Sequence, residues 1–477
     1  MTANSQSQSK SVTVLSGDGV GPEVMEAAIK LVDATGAKID WDYQLAGQQA
    51  FDSGILTGVT NDALDSISKN KFVLKSPLAT PIGHGQKSAN VTLRKMFETY
   101  ANIRPARELP GIEGPFSGRG IDLTIIRENV EDLYAGIENM QTPNVAQCLK
   151  LITRLGSQKV SRAAFAYAKA EGYKKVTVAT KANIMKLTEG MLKREFEKIA
   201  DEHPEFTTNH VLIDNAAHQL VVRPEDYQVI VTSNMNGDIL SDLASGLVGG
   251  LGVAPSANIG NEVQIFEAVH GTAPDIAGKD LANPTAMILS AVMLLRGLNL
   301  PAQASALESA LYKTFEEGYK TRDLSPGSEI GCQEFTDLVG ERIDVSIAPE
   351  TQYRSIELTN LTPNQAQTYP DNREQWGVDI FLESVSSPND LGTNLSALAE
   401  KSGFELVMIS NRGTSVWPEA KYLPALVDHF RCRFKQTENS DLNLLIGSVG
   451  EHYRWMHIEK LEMYDGEEGF TMAQGQK

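Results

Sequence analysis

Cysteine, long apolar runs and positive charge are all scarce in this chain. The 477 residues include three cysteines, Cys148, Cys332 and Cys432, whose separations match no metal-ligand spacing and give no disulfide framework. No stretch approaches the roughly 20 apolar residues of a membrane span, and the polar N-terminus lacks the apolar segment of a secretory signal. These absences predict a cytoplasmic protein with reduced thiols.

The charge balance excludes a second set of partners. The chain carries 43 basic and 61 acidic residues, which gives a net charge of −18. Such acidity opposes binding to nucleic acid or to an anionic membrane, because both are polyanions. An anionic small molecule must therefore be held by a local cluster of basic side chains.

Apolar strands alternate with helical patterns over most of the chain, which predicts an α/β fold. Strands are expected at 11–15, 175–179 and 229–231. One helix is expected to end at Val32, and two others are expected over 190–199 and 286–295. The glycine turn from Gly17 to Glu23 follows the first strand, but a Rossmann fingerprint needs glycine or alanine where Pro22 stands. The turn therefore predicts a tight strand-to-helix connection that is not a Rossmann phosphate loop.

The amino-acid composition of the chain changes after about residue 345. Residues 346–376 are polar and rich in Pro, Thr, Asn and Gln, which predicts a linker. Beyond it the expected order is strand 378–382, helix 391–401, strands 406–409 and 415–417, helix 423–430 and strand 442–446. This βαββαβ order predicts a small ferredoxin-like α+β domain over 377–477.

Two aspartates, Asp238 and Asp242, follow the apolar strand 229–231 at a spacing of four. A helix starting near Asn236 places both carboxylates on one face, where like charges repel by roughly 0.2 to 0.5 kcal/mol. Two hard oxygen ligands with open positions beside them suit Mg2+ or Mn2+ bound together with a substrate. The alternative is a solvated acidic helix start, which also suits the helix dipole.

Three arginines lie in upstream segments of mixed polarity: Arg94, Arg104 and Arg127. The planar guanidinium fork matches carboxylate geometry, so together they predict a clamp for a polycarboxylate. Taken one at a time, each arginine is better explained as a surface ion pair.

The stretch 236–252, the turn 17–23 and the run His270-Gly271-Thr272-Ala273-Pro274 carry a family resemblance. Over residues 11 to 345 the chain resembles the metal-dependent β-decarboxylating dehydrogenases that act on isocitrate, isopropylmalate, homoisocitrate or tartrate. The resemblance implies two α/β domains around a cleft: a large domain from 1–99 and 250–345, and a smaller dimerisation domain over 100–249. It also implies a homodimer with shared active sites, and the C-terminal domain resembles that of extended bacterial isocitrate dehydrogenases, with an oligomerisation or regulatory role and a possible higher oligomer.

The resemblance also implies a role for each matching residue. Ser88 and Asn90 resemble the isocitrate version of the substrate loop, since they can donate hydrogen bonds to a third carboxylate. Substrate-binding residues would be Ser88, Asn90, Arg94, Arg104, Arg127 and Asn183; metal ligands would be Asp214, Asp238 and Asp242; catalytic residues would be Tyr134 and Lys181. Lys181, Asn183 and Asp214 would reach the site from the neighbouring chain.

In the family, the positions of Asp275 and Ile276 meet the adenosine ribose. A carboxylate there accepts bonds from ribose hydroxyls and repels a 2′-phosphate, so the expected cofactor is NAD. The implied cofactor-binding residues are Thr80, His270, Gly271, Thr272, Ala273, Asp275, Ile276 and Asn283.

The expected function is therefore NAD-dependent oxidative decarboxylation of isocitrate to 2-oxoglutarate, with Mg2+ or Mn2+. Two alternatives remain: a homoisocitrate, isopropylmalate or tartrate dehydrogenase of the same family, or a non-catalytic regulatory subunit. The second is opposed by the presence of Tyr134, Lys181 and all three aspartates.

Overall fold

The computed structural model describes residues 9–80, 88–346, 356–366, 368–420 and 422–473. The chain divides into two compact units. The first comprises 1–134 and 151–366, and the second comprises 135–150 and 367–477. Residues 347–355 and 367 of the predicted linker lie outside the described residues, and the predicted division of the first 345 residues into domains stays a prediction.

The strands of the described residues are β1 (Lys10–Leu15), β2 (Ile39–Gln44), β3 (Phe72–Lys75), β4 (Ala101–Arg107), β5 (Asp122–Glu128), β6 (Glu138–Thr142), β7 (Val145–Cys148), β8 (Lys175–Thr180), β9 (Thr207–Leu212), β10 (Val229–Thr232), β11 (Pro255–Ile259), β12 (Gln264–Ala268), β13 (Arg373–Glu383), β14 (Phe404–Asn411), β15 (Thr414–Trp417), β16 (His429–Gln436), β17 (Arg454–Tyr464) and β18 (Glu467–Glu468). The α-helices are α1 (Gly21–Ala34), α2 (Gln48–Asp52), α3 (Asn61–Asn70), α4 (Ala89–Met96), α5 (Arg154–Glu171), α6 (Thr188–Ala200), α7 (Ile213–Val222), α8 (Asn234–Leu247), α9 (Thr285–Gly297), α10 (Pro301–Glu316), α11 (Cys332–Gly340), α12 (Pro363–Ala366), α13 (Pro388–Lys401) and α14 (Leu442–His452). None of these helices combines the length and the apolar composition of a membrane span.

The first unit is built on a ten-stranded mixed sheet of order β2-β1-β3-β12-β11-β4-β5-β10-β8-β9. The central pairs β12–β11, β11–β4 and β4–β5 are antiparallel, and the strands on either side pair in parallel. Helices cover the parallel strands, which explains why β10 is buried at every position and reads as a continuous apolar run. Because β4 and β5 are neighbours, Asn102 lies opposite Arg127 at the ends of the two strands.

The second unit contains a six-stranded antiparallel sheet of order β15-β14-β16-β13-β17-β18 and the hairpin β6–β7. Its core is formed by one face of the sheet and by α13 and α14, and includes Ile380, Leu395, Phe434 and Leu445. The inner order β14-β16-β13-β17 is that of a ferredoxin-like domain, with β15 and β18 added at the edges. The predicted fold class, α/β with a C-terminal α+β domain, is therefore confirmed.

Two predicted elements of the second unit are wrong. Residues 423–430 were expected to be helical, but the chain enters β16 at His429, where Phe430, Cys432 and Phe434 alternate with arginines in the period of a strand. The expected strand 442–446 is the start of α14, because the Asp441 carboxylate caps it by accepting the backbone N–H groups of the second and third helical residues.

Candidate active site

The two aspartates of α8 lie beside two buried arginines. Asp238 Oδ1 is 3.2 Å from Arg104 Nη1 and also contacts Arg127 Nη1, and Asp242 Oδ1 is 3.5 Å from Arg104 Nη1. Side-chain exposure is 8% for Arg104 and 1% for Arg127, against 35% and 55% for Asp238 and Asp242. Each carboxylate therefore contacts a buried guanidinium group on one side and remains partly exposed to solvent, where a ligand can approach it.

The packing of α8 against β5 determines where Arg127 points. Asn234, the first residue of α8, accepts hydrogen bonds from Arg127 Nε at 3.0 Å and Nη2 at 2.8 Å. A Cβ on Gly237 would lie 2.6 Å from Arg127 Cγ, so glycine is required between Asn236 and Asp238 for this close approach. The Asn-Gly-Asp run therefore serves the packing of the arginine as well as the placement of the carboxylate.

Three guanidinium groups lie close enough at this point to repel one another. Burial, followed by the nearby charges of Arg94 and Arg104, lowers the pKa of Arg127 to about 9. Burial and the charge of Arg94 likewise lower the pKa of Arg104. Mutual repulsion of this kind marks a site of excess positive potential, which a polycarboxylate relieves.

Arg94 is held by a buried carboxylate that the sequence analysis did not identify. Glu267 Oε1 accepts from Arg94 Nη2 at 3.2 Å and from Asn258 Nδ2 at 2.7 Å, and its other oxygen contacts the ammonium of Lys75. Burial raises the pKa of Glu267, but Lys75 and Arg94 outweigh it and hold that pKa well below its ordinary value. The sequence signal for Lys75 is weak, since a lysine at a strand end is ordinary; only its 2% exposure reveals it.

Several buried polar atoms near the substrate loop have no partner among the described residues. These include Arg94 Nε and Asn90 Oδ1. Asn90 Nδ2 lies 3.4 Å from the carbonyl oxygen of Leu78, and the hydroxyls of Ser88 and Thr80 are 3.1 Å apart. An unpaired buried polar atom is costly, so a ligand that bonds to it gains affinity.

Tyr134 joins the same group. Its hydroxyl donates to Asp238 Oδ2 at 2.5 Å, and the Arg127 guanidinium lies over its ring at 4.9 Å. Burial, followed by the bond to Asp238, raises the pKa of Tyr134, so the phenol keeps its proton. For Asp238 itself burial opposes ionisation, but Arg127 and Arg104 lower its pKa below the ordinary value.

Lys181 and Asp214 form a separate pair. Lys181 directly follows β8, and Asp214 is the second residue of α7, which follows the neighbouring strand β9; Lys181 Nζ is 2.8 Å from Asp214 Oδ1. Asp214 is 66% exposed, and Asn183 in the same loop as Lys181 is also exposed. Their predicted role in a neighbouring subunit's site stays a prediction.

The glycine turn after β1 organises the two loops predicted to bind the cofactor. Val20 N–H donates to the carbonyl oxygen of Thr272 at 2.9 Å, and Gly19 has φ +61° with its Cβ position 1.9 Å from that oxygen. The Asp18 carboxylate accepts the backbone N–H of Ala79 at 2.7 Å. The turn therefore links loop 76–80 to loop 270–274.

The two residues predicted to contact adenine, His270 and Asn283, differ in whether their polar side-chain atoms are already hydrogen-bonded. His270 Nε2 is buried with no partner among the described residues, and burial lowers the pKa of the ring, which stays neutral. The amide of Asn283 is engaged, because it donates to Asp323 Oδ2 and accepts from Thr285 N–H, both at 3.0 Å. His270 is therefore the better placed of the two to meet a base.

Family models, curated proteins and a solved structure resemble this chain. The family model described as isocitrate/isopropylmalate dehydrogenase matches residues 11–339, and the model for the bacterial isocitrate dehydrogenase C-terminal domain matches 373–476. A Thermus thermophilus protein named isocitrate dehydrogenase (NADP) is 53% identical, over 98% of this chain and 96% of its own length. A Rickettsia conorii protein of the same name is 37% identical, over 98% and 99%. A crystal structure of a protein from Thermus thermophilus has a TM-score of 0.94 at 51% identity, covering 99% of this chain and 97% of that chain.

The prediction of NAD as cofactor, and of an NAD-dependent enzyme, is wrong, since both of these full-length relatives are named for NADP. The physical reason lies in the surroundings of Asp275. Its side chain is exposed, where a single charge is strongly screened, and Lys279 Nζ donates to the backbone carbonyl oxygen of Asp275 at 2.8 Å. The turn thus carries an ammonium as well as a carboxylate, and Asp275 with Ile276 does not decide the cofactor. The matched models and relatives show that the chain belongs to the isocitrate/isopropylmalate dehydrogenase family and carries the bacterial isocitrate dehydrogenase C-terminal domain.

Proposed function

We propose that this protein oxidises and decarboxylates isocitrate to 2-oxoglutarate and carbon dioxide, with NADP as the hydride acceptor and Mg2+ or Mn2+ as the metal. The observation that carries the proposal is the convergence of Arg94, Arg104 and Arg127 beside Asp238 and Tyr134. Three mutually repelling guanidinium groups fit a substrate with three carboxylates. The NADP assignment follows the names of the two full-length relatives.

The donor set fits a divalent ion. Asp238 and Asp242 supply hard carboxylate oxygens on one helix face, and both side chains are open to solvent on one side. A bound ion would polarise the substrate hydroxyl and stabilise negative charge during decarboxylation, while the nicotinamide accepts the hydride.

The remaining roles belong to residues of this chain. The arginines hold and neutralise the substrate carboxylates. Lys181, acting with water or a neighbour, would take the hydroxyl proton. Tyr134, whose phenol is protonated, would deliver the proton that replaces the departing carboxylate on carbon.

We further propose a homodimer in which Lys181, Asn183 and Asp214 serve the partner's site. Large apolar side chains are exposed close to these residues and to the metal aspartates: Ile184 is 68% exposed and Ile239 is 61% exposed. Exposed apolar surface of this kind favours a subunit interface. The C-terminal domain is proposed to support oligomerisation, and deletion of 350–477 followed by measurement of mass in solution tests that role.

The test of function is a set of initial rates with isocitrate, homoisocitrate, isopropylmalate and tartrate, each with NADP and with NAD, before and after chelation. We expect isocitrate with NADP to react fastest, chelation to abolish turnover, and added Mg2+ to restore it. Faster turnover of another substrate would move the assignment within the family. Binding of isocitrate without turnover under every condition would instead support a regulatory subunit.

A further inference from the structure

The residue Glu189 on α6 is buried and takes no part in the proposed chemistry. It is 0% exposed, and its carboxylate accepts hydrogen bonds from two segments that do carry chemistry. One oxygen accepts the backbone N–H of Lys181 at 3.0 Å. The other accepts the Ser233 hydroxyl at 2.8 Å, and the amide of Asn236 donates to the carboxylate at 3.3 Å.

The bond from Ser233 is informative because it replaces a more ordinary one. Ser233 is the N-cap residue of α8 and has the extended backbone of a cap, yet its hydroxyl makes no capping bond to the helix. Serine at this position usually accepts a backbone N–H of the first helical turn. Here the hydroxyl donates to Glu189, so the start of α8 is tied to α6 and to the Lys181 loop.

We propose that Glu189 is a positioning residue that fixes Lys181 and the metal-binding helix relative to each other. Asp238 lies two residues beyond Asn236, within the first turns of α8, so a shift of the helix start moves this carboxylate. The inference rests on the proposed function. In the proposed dimer Lys181 serves the partner's site and Asp238 its own, so this one carboxylate helps to build both active sites.

The test compares Glu189→Ala with Glu195→Ala. Glu195 is a matched control, because it also lies on α6, is 2% exposed, and bonds to Arg154, Gln158 and Lys198, which have no proposed catalytic role. Both variants lose a buried carboxylate and its partners, and thermal unfolding measures the resulting loss of stability. Only Glu189→Ala should weaken the binding of isocitrate with Mn2+, measured by calorimetry without nucleotide, by about tenfold to a hundredfold. It should also lower kcat at saturating isocitrate relative to the control, because Lys181 is displaced.

Equal binding and equal kcat in the two alanine variants would overturn the inference. If Glu189→Ala does not fold, Glu189→Gln decides. It keeps the shape but loses the charge, and its Nε2 faces the Ser233 hydroxyl, which must turn from donor to acceptor, so we expect about threefold to tenfold weaker binding of isocitrate with Mn2+. Unchanged binding would then overturn the inference. If the wild-type protein does not oxidise isocitrate, the proposed function fails; if it does and Glu189→Ala behaves like the control, only the positioning role fails.

Discussion

Replacement of Arg94 by glutamine separates substrate binding from fold stability. The side chain is 11% exposed, its Nη2 bonds to Glu267, and its Nε is buried without a partner among the described residues. A substrate carboxylate bound at this guanidinium would gain two charge-assisted hydrogen bonds. Glutamine has a similar stem but carries no charge and no fork, so it cannot replace them.

The size of the effect follows from these contacts. Each charge-assisted bond contributes about 1.5 to 3 kcal/mol, so two contribute about 3 to 6 kcal/mol. At about 1.4 kcal/mol per decade, kcat/KM for isocitrate should fall by about a hundredfold to ten-thousandfold. Arg104 and Arg127 remain in place and still attract the substrate, which favours the lower end of this range.

The same substitution should cost little stability. Glu267 keeps Lys75 and Asn258 as partners when Arg94 is lost, so its charge is still compensated. The melting temperature should therefore fall by only about one to two degrees, the shift expected for about 1 kcal/mol in a chain of this size. A large loss of stability would mean that Arg94 acts mainly as a structural counter-ion of Glu267.

The assay is steady-state kinetics with isocitrate and NADP varied separately. Arg162→Gln is the control, because Arg162 on α5 also makes a two-pronged pair, with Glu202, but has no proposed contact with substrate. An isocitrate kcat/KM within about twofold of the control would refute the role of Arg94, because even one lost charge-assisted bond predicts a larger change. An equal rise in the KM for NADP would show a general distortion of the site.

Three further predictions concern protonation, cofactor preference and shared sites. Burial, and next the charge of Glu131, raises the pKa of Glu128 to about 8, above its ordinary 4.5. The stability that Glu128 contributes is therefore full below about pH 4.5 and is lost as pH rises through 8. Glu128→Gln should flatten this part of the curve of melting temperature against pH, and parallel curves for the variant and the wild type would contradict the prediction. Asp275→Asn should lower the KM for NADP by less than about tenfold, because the removed charge is exposed and screened. A larger change in initial-rate assays would show that Asp275 contacts the 2′-phosphate of NADP directly. Lys181→Met and Asp238→Asn should each be inactive alone. After an equal mixture is refolded, half of the dimers contain one chain of each kind and therefore one intact site of two, so about a quarter of wild-type activity should return. No recovery would argue against shared sites.

Local patterns predicted much of the secondary structure of this chain. The apolar strand 229–231 and the helix after it are present as β10 and α8, and the strand order of the C-terminal domain follows a ferredoxin-like module. Where two patterns competed, sequence reasoning failed. The run from Leu442 has the apolar density of a buried strand, and the capping aspartate Asp441, which makes it a helix, is a single residue easily given too little weight.

The acidic pair and the arginines were identifiable from charge type and from resemblance to a family. Their relation to each other was not, because it depends on β4 and β5 pairing and on α8 crossing their ends. The cofactor shows the opposite error, since one exposed carboxylate at Asp275 carried more weight than its screened charge supports.

By itself the sequence determined the fold class, the family resemblance and the residue types of the site, because these depend on periodicity and on motifs that are contiguous in the chain. Only the tertiary structure revealed Lys75, Glu267 and Glu189, since nothing adjacent in the sequence marks them. Each is a charged side chain removed from water and matched to a partner far along the chain, and the energy of a charge depends on its burial and neighbours rather than on its position in the sequence.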